Sequence, residues 1–458
     1  MAKPRATEFD DYLKRHPKTV HVDAFLHDLN GNLRGKRLPV AEAAKLWPRG
    51  SEQGGLEMPR CMLFVDPTGD DLDPGGRSTT LGDPDGAALP IPGLLAPVPW
   101  AEEPTAQVLL QMTDPVRDPN VGKPSRYCPR AALGDVLAQF RRRGLNPVVA
   151  VELEFYLFDR ARDAEGRPMP VKNPVTGVEE SSKQPYSIDD LDAYGAFIRR
   201  VAAYARRQAI PASAAITEYS PGQFEINLKH EPDAVAACDH AVLLKRAIKA
   251  AARVDLHQAS FMAKPFLDAA GSGMHIHVSL VDRKERNAFS EDPALLRHAV
   301  AGLQAAMPES MLLFGANLNG FKRYRPGHNV PITPAWGFNN RSVAFRIPAG
   351  GAKARRIEHR VAGADANPYL VVAAVLAGML HGIEQRLKPT PETKSDAGDA
   401  HDADVPFEYA AALERFAKAK ILPRYVARDM LDLVRDQKRA ELAKFMTTIS
   451  RQEYEWFL

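Results

Sequence analysis

The stretch VVAVELEFYLFD, Val148 to Asp159, places two glutamates two positions apart inside an otherwise apolar run. Val149, Val151, Leu153, Phe155 and Leu157 alternate with Ala150, Glu152, Glu154 and Tyr156. A period of two is that of a β-strand with one face against a core, so both glutamates point to the other face. With a rise of about 3.3 Å per residue their roots stand roughly 7 Å apart. That spacing is wide for chelating one ion and suits two neighbouring ions. Most strand glutamates lie on a solvated outer face, so the pair gains meaning only from company elsewhere in the chain.

Similar pieces recur. ITEYSPGQFEINL carries Glu218 before a Pro-Gly turn and Glu225 on the strand that follows. Gln223, Glu225 and Asn227 share one face there, with Phe224, Ile226 and Leu228 toward the core. In GSGMHIHVSL, His275, His277 and Ser279 alternate with Met274, Ile276, Val278 and Leu280. GGAKARRIEHRVAG puts Arg356, Glu358 and Arg360 on one face if it is extended. A lone strand histidine is usually structural, and KARRIEHR alone reads as a solvated charged face. Four such pieces in one chain point to a common site. Carboxylates with imidazole suit Mg²⁺ or Mn²⁺ better than zinc, which favours thiolates and more histidines. Arg341, Arg346, Lys353 and Arg356 add cations suited to phosphate, and beside a divalent-metal cluster they imply a nucleoside triphosphate. No Walker A sequence or dinucleotide fingerprint occurs, so metal and arginines would hold the nucleotide.

The surroundings are those of an ordinary globular chain. It has 458 residues, 45% hydrophobic and 26% charged, with a net charge of +3. That small balance, without a basic stripe interleaved with aromatics, gives no argument for nucleic acid. MAKPRATEFD is not followed by an apolar stretch, which predicts no signal peptide, and the longest apolar run (369–380) is too short to span a bilayer. Cys61, Cys128 and Cys238 are scattered and lack metal spacing, as fits a reducing cytoplasm.

The elements predict an α+β protein of two domains, 18–116 and 117–458. Residues 19–40 alternate around Asn30-Gly31, a hairpin signal. A Pro/Gly/Asp-rich stretch follows from about Asp66 to Pro99, then a strand at TAQVLLQMTD, then a linker at DPVRDPNVGKPSRY. Pro129 opens a helix with apolar Leu133, Val136, Leu137 and Phe140, and Gly144 stops it. Residues 189–209 and 233–256 read as helices, and 221–228 and 273–281 as strands. A buried Ala-rich helix spans 367–388, KPTPETKSDAGDAHDADVP reads as a mobile polar surface loop, and the rest is helical to Leu458.

The motifs ELEFYLFD, EYSPGQFEIN, GSGMHIHVSL, NRSVAFRIP and KARRIEHR…ANPYL, in this order, resemble the glutamine synthetase family, type I. The resemblance covers nearly the whole chain, with most of it in 117–458. It implies a small β-grasp-like N-terminal domain and a catalytic domain with a curved antiparallel sheet flanked by helices. It further implies rings, hexameric or dodecameric, with active sites between neighbouring subunits. By the same resemblance Glu154, Glu218 and Glu225 would bind one metal ion, and Glu152, His275 and Glu358 another, with two or three Mg²⁺ or Mn²⁺ per site. His277, Ser279, Arg341, Arg346, Lys353 and Arg356 would contact ATP, and Gly271, Arg323 and Arg360 would hold L-glutamate. Arg341, Arg323 and the flap position Asn329 would serve catalysis. The implied reaction is attack of the γ-carboxylate on ATP to give a γ-glutamyl phosphate, then displacement of phosphate by a nitrogen nucleophile.

Three departures bear on that nucleophile. The acidic DGSS-type stretch of ammonia-using members corresponds to WPRGSEQGGLEMP, without the Asp. Ala270 replaces the Asn before the GSGMH turn, and the flap reads Pro326-Gly327-His328-Asn329-Val330-Pro331, without its glutamate. Residues 391–405 hold no tyrosine, which argues against adenylylation control. These changes resemble the γ-glutamylpolyamine synthetase branch, an ATP-dependent ligase of amine or polyamine catabolism joining glutamate to an organic amine. Glutamine synthetase itself is the alternative, and a non-catalytic scaffold a more distant one. Trp336 and Phe338 could line an amine pocket, and Glu52 or Glu57 could hold the distal ammonium of a polyamine. No nucleic-acid or membrane partner is predicted, and a cytoplasmic location is.

Overall fold

The computed structural model describes residues 6–47, 54–115, 122–325, 330–398, 400 and 402–458. The hairpin expected at 19–40 is formed by His21–His27 and Leu33–Pro39, paired antiparallel around Asn30. Gly31 takes φ +85° in that turn, where a side chain would strain the backbone. His21–His27 also runs parallel to Thr105–Met112, the strand expected at TAQVLLQMTD. Asp85–Pro90 and Leu56–Pro59 extend this six-stranded sheet, and Ala96–Pro97 pairs with Thr105–Met112. The Pro/Gly/Asp-rich stretch thus hides a strand at 85–90 that its composition does not announce. The helix Ala6–Arg15 was also not foreseen; its buried Phe9 stacks on Trp47 at 4.7 Å.

The second sheet has nine strands. Its main order is Trp336–Phe338, Phe345–Ile347, Ile357–His359, Met274–Asp282, Leu145–Arg162, Gln223–Leu228 and Ala212–Thr217. His257–Ser260 and Pro168–Pro170 also pair with the long strand Leu145–Arg162. All pairings are antiparallel except that of Trp336–Phe338 with Phe345–Ile347. Val149, Val151, Leu153 and Phe155 are fully buried, joined in the core by Met274, Ile276, Phe224 and Ile226. The alternation read from the sequence therefore fixes which face of each strand meets the helices.

Helix Pro129–Arg142 buries Leu133, Val136, Leu137 and Phe140, and Gly144 follows at φ +72°. Helix Ala234–Val254 packs on the long strand, and Pro368–Gln385 lies inside the protein against Pro293–Phe314. The sequence reading assigned no element to 293–314, a 22-residue helix, and its interior Pro308 is the residue type that argues against one. The helix expected over 189–209 is two, Ile188–Ala193 and Gly195–Arg207, broken at Tyr194, whose ring is buried 4.9 Å from that of Phe224. The C-terminal part is helical over Tyr409–Ala417, Arg428–Met446 and Arg451–Phe457.

The polar segment after Leu387 differs from its expectation as a mobile loop. Thr393 N donates to Trp336 O at 2.9 Å, Trp336 Nε1 to Thr390 O at 2.8 Å, and Ala397 N to Ser342 Oγ at 2.9 Å. Asn340 Nδ2 donates to the carbonyls of Thr393 (3.0 Å) and Ser395 (2.9 Å). At Gly337 any Cβ would stand 2.6 Å from Thr393 O, so glycine is needed for this approach.

Asn367 ties the two sheets. Its side chain accepts from Tyr369 N (3.1 Å) and Leu370 N (3.3 Å), capping Pro368–Gln385, and donates to Asp28 O (3.0 Å) in the hairpin turn. Asn367→Ala is expected to lower stability by about 2 kcal/mol, through a lost cap and unpaired buried groups. Asn367→Ser keeps an acceptor and should fall between the two in thermal midpoint.

Candidate active site

The register of the second sheet assembles the polar residues. Glu225 lies opposite Glu154, His275 opposite Glu152, Glu358 opposite His277, and Arg346 opposite Glu358. One row of side chains therefore crosses four adjacent strands and continues onto a fifth, on the face away from the helices. Glu218 joins it from the turn between Ala212–Thr217 and Gln223–Leu228, where its N–H donates to Gln223 O at 2.8 Å and Gly222 takes φ +69°.

Three groups have donor atoms within 4.8 Å of one another: Glu154, Glu218 and Glu225; Glu152, Glu225 and His275; Glu152, His277 and Glu358. The first is the set expected for one ion. The second expected set, Glu152, His275 and Glu358, is shared between the other two groups. Both histidines reach Glu152: His275 Nδ1 is 3.1 Å from Oε2, and His277 Nε2 is 2.8 Å from Oε1. His275 Nε2 also lies 3.6 Å from Glu154 Oε1.

The charges divide the site in two. Burial opposes ionisation of Glu152, but the hydrogen bonds of His275 and His277 outweigh it and hold the carboxyl far below its usual range. Burial likewise opposes ionisation of Glu358, and Arg360, His277 and His275 bring it down to about 2. Arg346 Nη1 donates to Glu358 Oε2 at 2.7 Å, and Arg360 grips the other oxygen. On the other side, burial and then the charge of Glu154 push Glu218 up to about 7. Burial and the charges of Glu152, Glu154 and Glu218 push Glu225 up to about 9. Carboxylates crowded in this way lack positive charge. Their oxygens, with imidazole alongside and the three cysteines buried elsewhere as free thiols, are a donor set for a hard divalent cation.

A cavity of about 870 Å³ opens beside this row, lined by Glu154, Glu218, Gly271, His275, Arg323, Arg341 and Arg360 among others. Arg323 is only 3% exposed; its Nη1 donates to Val361 O at 2.6 Å and Ala362 O at 3.2 Å. At Gly273 a Cβ would meet Arg323 Nη2 at 2.6 Å and His275 Nε2 at 3.2 Å, while its N–H donates to Glu154 Oε2 at 2.5 Å. Only glycine leaves that space open. Gly271 is similarly confined by Ala263 O and the Arg323 side chain, each 2.8 Å from a Cβ.

The residues expected on the nucleotide side are less gathered. Arg356 Nε donates to His277 Nδ1 at 3.0 Å, and Arg346 is bound to Glu358. Ser279 is half-buried further along its strand, and Lys353 is exposed in the turn Ala352–Ala354. Phe338 lines the cavity, 46% exposed, whereas Trp336 is buried and does not. Glu57 is exposed on Leu56–Pro59 and is not part of the lining; Glu52 and Asn329 lie outside the described residues. Sequence reasoning missed Tyr186 and Tyr219. Tyr186 holds φ +62°, and its hydroxyl accepts from Arg341 Nη1 at 3.1 Å; Lys183 Nζ sits 4.9 Å from the ring centre of Tyr219. The positive φ of a non-glycine residue is the signal that finds Tyr186, and only the folded backbone shows it.

The family described as glutamine synthetase, catalytic domain, matches residues 126–457. Gamma-glutamylputrescine synthetase PuuA of Escherichia coli (strain K12) is 41% identical over 98% of this chain and 94% of its own length. Glutamate–isopropylamine ligase of a Pseudomonas species is 32% identical over 84% of this chain and 83% of its own. Gamma-glutamylethanolamide synthetase GlnA4 of Streptomyces coelicolor is 30% identical over 93% and 90%. Among solved structures, apo GmaS without ligand aligns with a TM-score of 0.80 over 97% of this chain and 98% of that one. Its identity is 24%, so that likeness concerns the fold.

The raised carboxylates predict a pH signature. A carboxyl whose folded pKa exceeds its unfolded value favours the folded state only while protonated. The contribution is neutral below about 4.5; above that the penalty grows with pH and levels off at about 7 for Glu218 and at about 9 for Glu225. The metal-free protein should lose thermal stability from about pH 5 to about pH 9, most steeply below about pH 7 where both carboxyls contribute. Glu225→Gln should flatten that slope, and Mg²⁺ or Mn²⁺ should stabilise the wild type more at the higher pH, since the ion displaces protons.

Proposed function

The chain belongs to the glutamine synthetase family, and on that premise we propose that it is an ATP-dependent ligase joining the γ-carboxylate of L-glutamate to an organic amine. The observation that carries this reading is the cavity in which Glu154 and Glu218, grouped with Glu225, line one space with Arg323, Arg341 and Arg360. The organic amine is favoured over ammonia by the curated relatives, whose names carry putrescine, isopropylamine and ethanolamide. The flap sequence supports the same choice: Asn329 stands where ammonia-using members place a glutamate, and an amide neither attracts ammonium nor titrates.

Enzymes of this family use ATP and divalent metal ions. We assign Glu154, Glu218 and Glu225 to one ion and Glu152, His275 and Glu358 to a second, with Mg²⁺ or Mn²⁺ as the ion and room for a third. Bound there, the ions supply the Lewis acidity that neutralises the triphosphate. The chain's own groups do the positioning. Arg323, fixed by two backbone carbonyls at the back of the cavity, and Arg360 offer paired donors to glutamate carboxylates beside Gly271. Arg341, steered by Tyr186, faces the same space and suits the transferring phosphoryl group. Arg356, bonded to His277, and Arg346 suit the remaining phosphates, with Ser279 and Lys353 toward the nucleoside. Ordering the γ-carboxylate and the phosphoryl group together lets a carboxylate oxygen attack the γ-phosphorus as its bond to ADP breaks, giving γ-glutamyl phosphate and ADP. The amine, after losing a proton to solvent, attacks the acyl carbon and inorganic phosphate leaves.

We further divide the chain at 116/117, supported by the start of the family match at 126 and by the two separate sheets. A closed homo-oligomeric ring, hexameric or stacked as a dodecamer, is proposed. Its support is the C-terminal segment, where Phe445, Met446, Ile449, Tyr454, Trp456, Phe457 and Leu458 are each more than 50% exposed. A reducing cytoplasm fits the buried free thiols.

Three measurements test the reading. Phosphate release with ATP, glutamate and a panel of amines should exceed that with ammonium; ammonium matching every amine would return the assignment to glutamine synthetase. Glu154→Ala and His275→Ala should each lower turnover at least about a hundredfold while the protein stays folded. Sedimentation should give six subunits or a multiple, about 300 kDa for six chains of 50.4 kDa, and an active monomer would refute the ring.

A further inference from the structure

Part of the cavity wall is the segment after Leu387 that its composition presents as a mobile loop. Glu392, Lys394, Ser395, Asp396 and Gly398 all line the space that also holds Glu154 and Glu218. The segment is bonded to residues 336–342 through the contacts of Thr393, Asn340 and Ser342 described above. The backbone that carries its acids is therefore held in place.

Each of the two carboxylates is anchored by one oxygen. Glu392 Oε1 accepts from Phe338 N at 3.1 Å, and Asp396 Oδ1 accepts from Gly398 N at 2.8 Å. Neither acid forms a salt bridge among the described residues. Lys394 is the cation on the same wall, so its formal charge is one negative. Phe338, 46% exposed, lines the same cavity beside Glu392, with the Arg355 guanidinium 5.5 Å from its ring centre. A cavity lined by these acids, by an aromatic ring and by the carboxylates of Glu154 and Glu218 matches a ligand that carries cations on a hydrocarbon chain.

We propose that segment 392–396 is the amine-selectivity element: Glu392 and Asp396 receive the distal ammonium of an α,ω-diamine whose chain lies on Phe338. This rests on the reading that the nucleophile is an organic amine. It replaces Glu57, which is absent from the cavity of its own chain, with acids that are present in it.

The test compares 1,4-diaminobutane with n-butylamine, which have the same carbon chain and differ in the second amine. Glu392→Gln and Asp396→Asn remove charge and keep the acceptor oxygens that hold Phe338 N and Gly398 N. In the full-length double variant, kcat/KM for the diamine relative to the monoamine should fall about tenfold, equivalent to about 1.4 kcal/mol, chiefly through KM for the diamine. Each single variant should fall less. An unchanged ratio overturns the proposal, as does an equal loss for both amines, which would mark the segment as structural. A shift of the ratio by Glu57→Gln and not by the double variant would move the site to a neighbouring subunit and equally overturn it. If the wild type releases phosphate with ammonium but with neither amine, the amine-ligase reading itself has failed, an outcome separate from the others.

Discussion

Four glutamates on one face of a sheet repel one another, and the rest of the active region is an answer to that repulsion. At the 4.8 Å that bounds each group, two like charges interact by about 3 kcal/mol with an effective dielectric near 20. A flexible surface would relieve this by separation. Here the carboxylates are carried by strands whose register is fixed by a buried apolar face, and a one-residue slip would bury the glutamates and expose Val151, Leu153 and Phe155. The core on one side holds the charges together on the other.

Compensation is unequal, and the inequality is informative. Glu152 has two imidazoles and Glu358 two guanidiniums, and both stay ionised despite burial. Glu154, Glu218 and Glu225 have weaker compensation, from His275 at 3.6 Å, the Asn227 amide, the more remote Arg360 and backbone donors, and two of them are driven toward the protonated form. The protein thus completes one half of the charge balance with side chains and leaves the other to be completed by a cation. A site meant only for stability would have paired both halves, since a buried acid without a partner destabilises.

How much of this the sequence carried depends on element length. The long strands 145–162 and 274–282 show enough alternation to assign a face to every residue, so the carboxylate and histidine row was readable before folding. Trp336–Phe338, Phe345–Ile347 and Ile357–His359 have three residues each, too few for a firm period, so Arg356, Glu358 and Arg360 shared a face only on the condition that the segment is extended. The pairing of each histidine with a carboxylate was beyond reach for another reason. His275 and His277 share a face, and cross-strand contacts, not spacing, decide that both meet Glu152. Segment 388–398 was misread because polar composition reports what a loop cannot bury and is blind to backbone bonds such as Thr393 to Trp336.

The N-terminal sheet sets a last constraint on how a site can be shared. Asp23 accepts from both Arg37 and Arg246, each at 2.7 Å, and Asn367 joins the hairpin turn to the head of the most apolar helix. The charge-assisted Arg246–Asp23 pair and the buried Asn367 bond hold the small sheet to its own catalytic unit more firmly than exposed pairs would. The strand Leu56–Pro59, with the exposed Glu57, is fixed along with it and lies outside the cavity that this unit presents. A sheet docked in this way cannot swing Glu57 into its own cavity without breaking those bonds. Any chemical part played by that strand must then be played on another copy of the chain, whereas Glu392 and Asp396 act within their own.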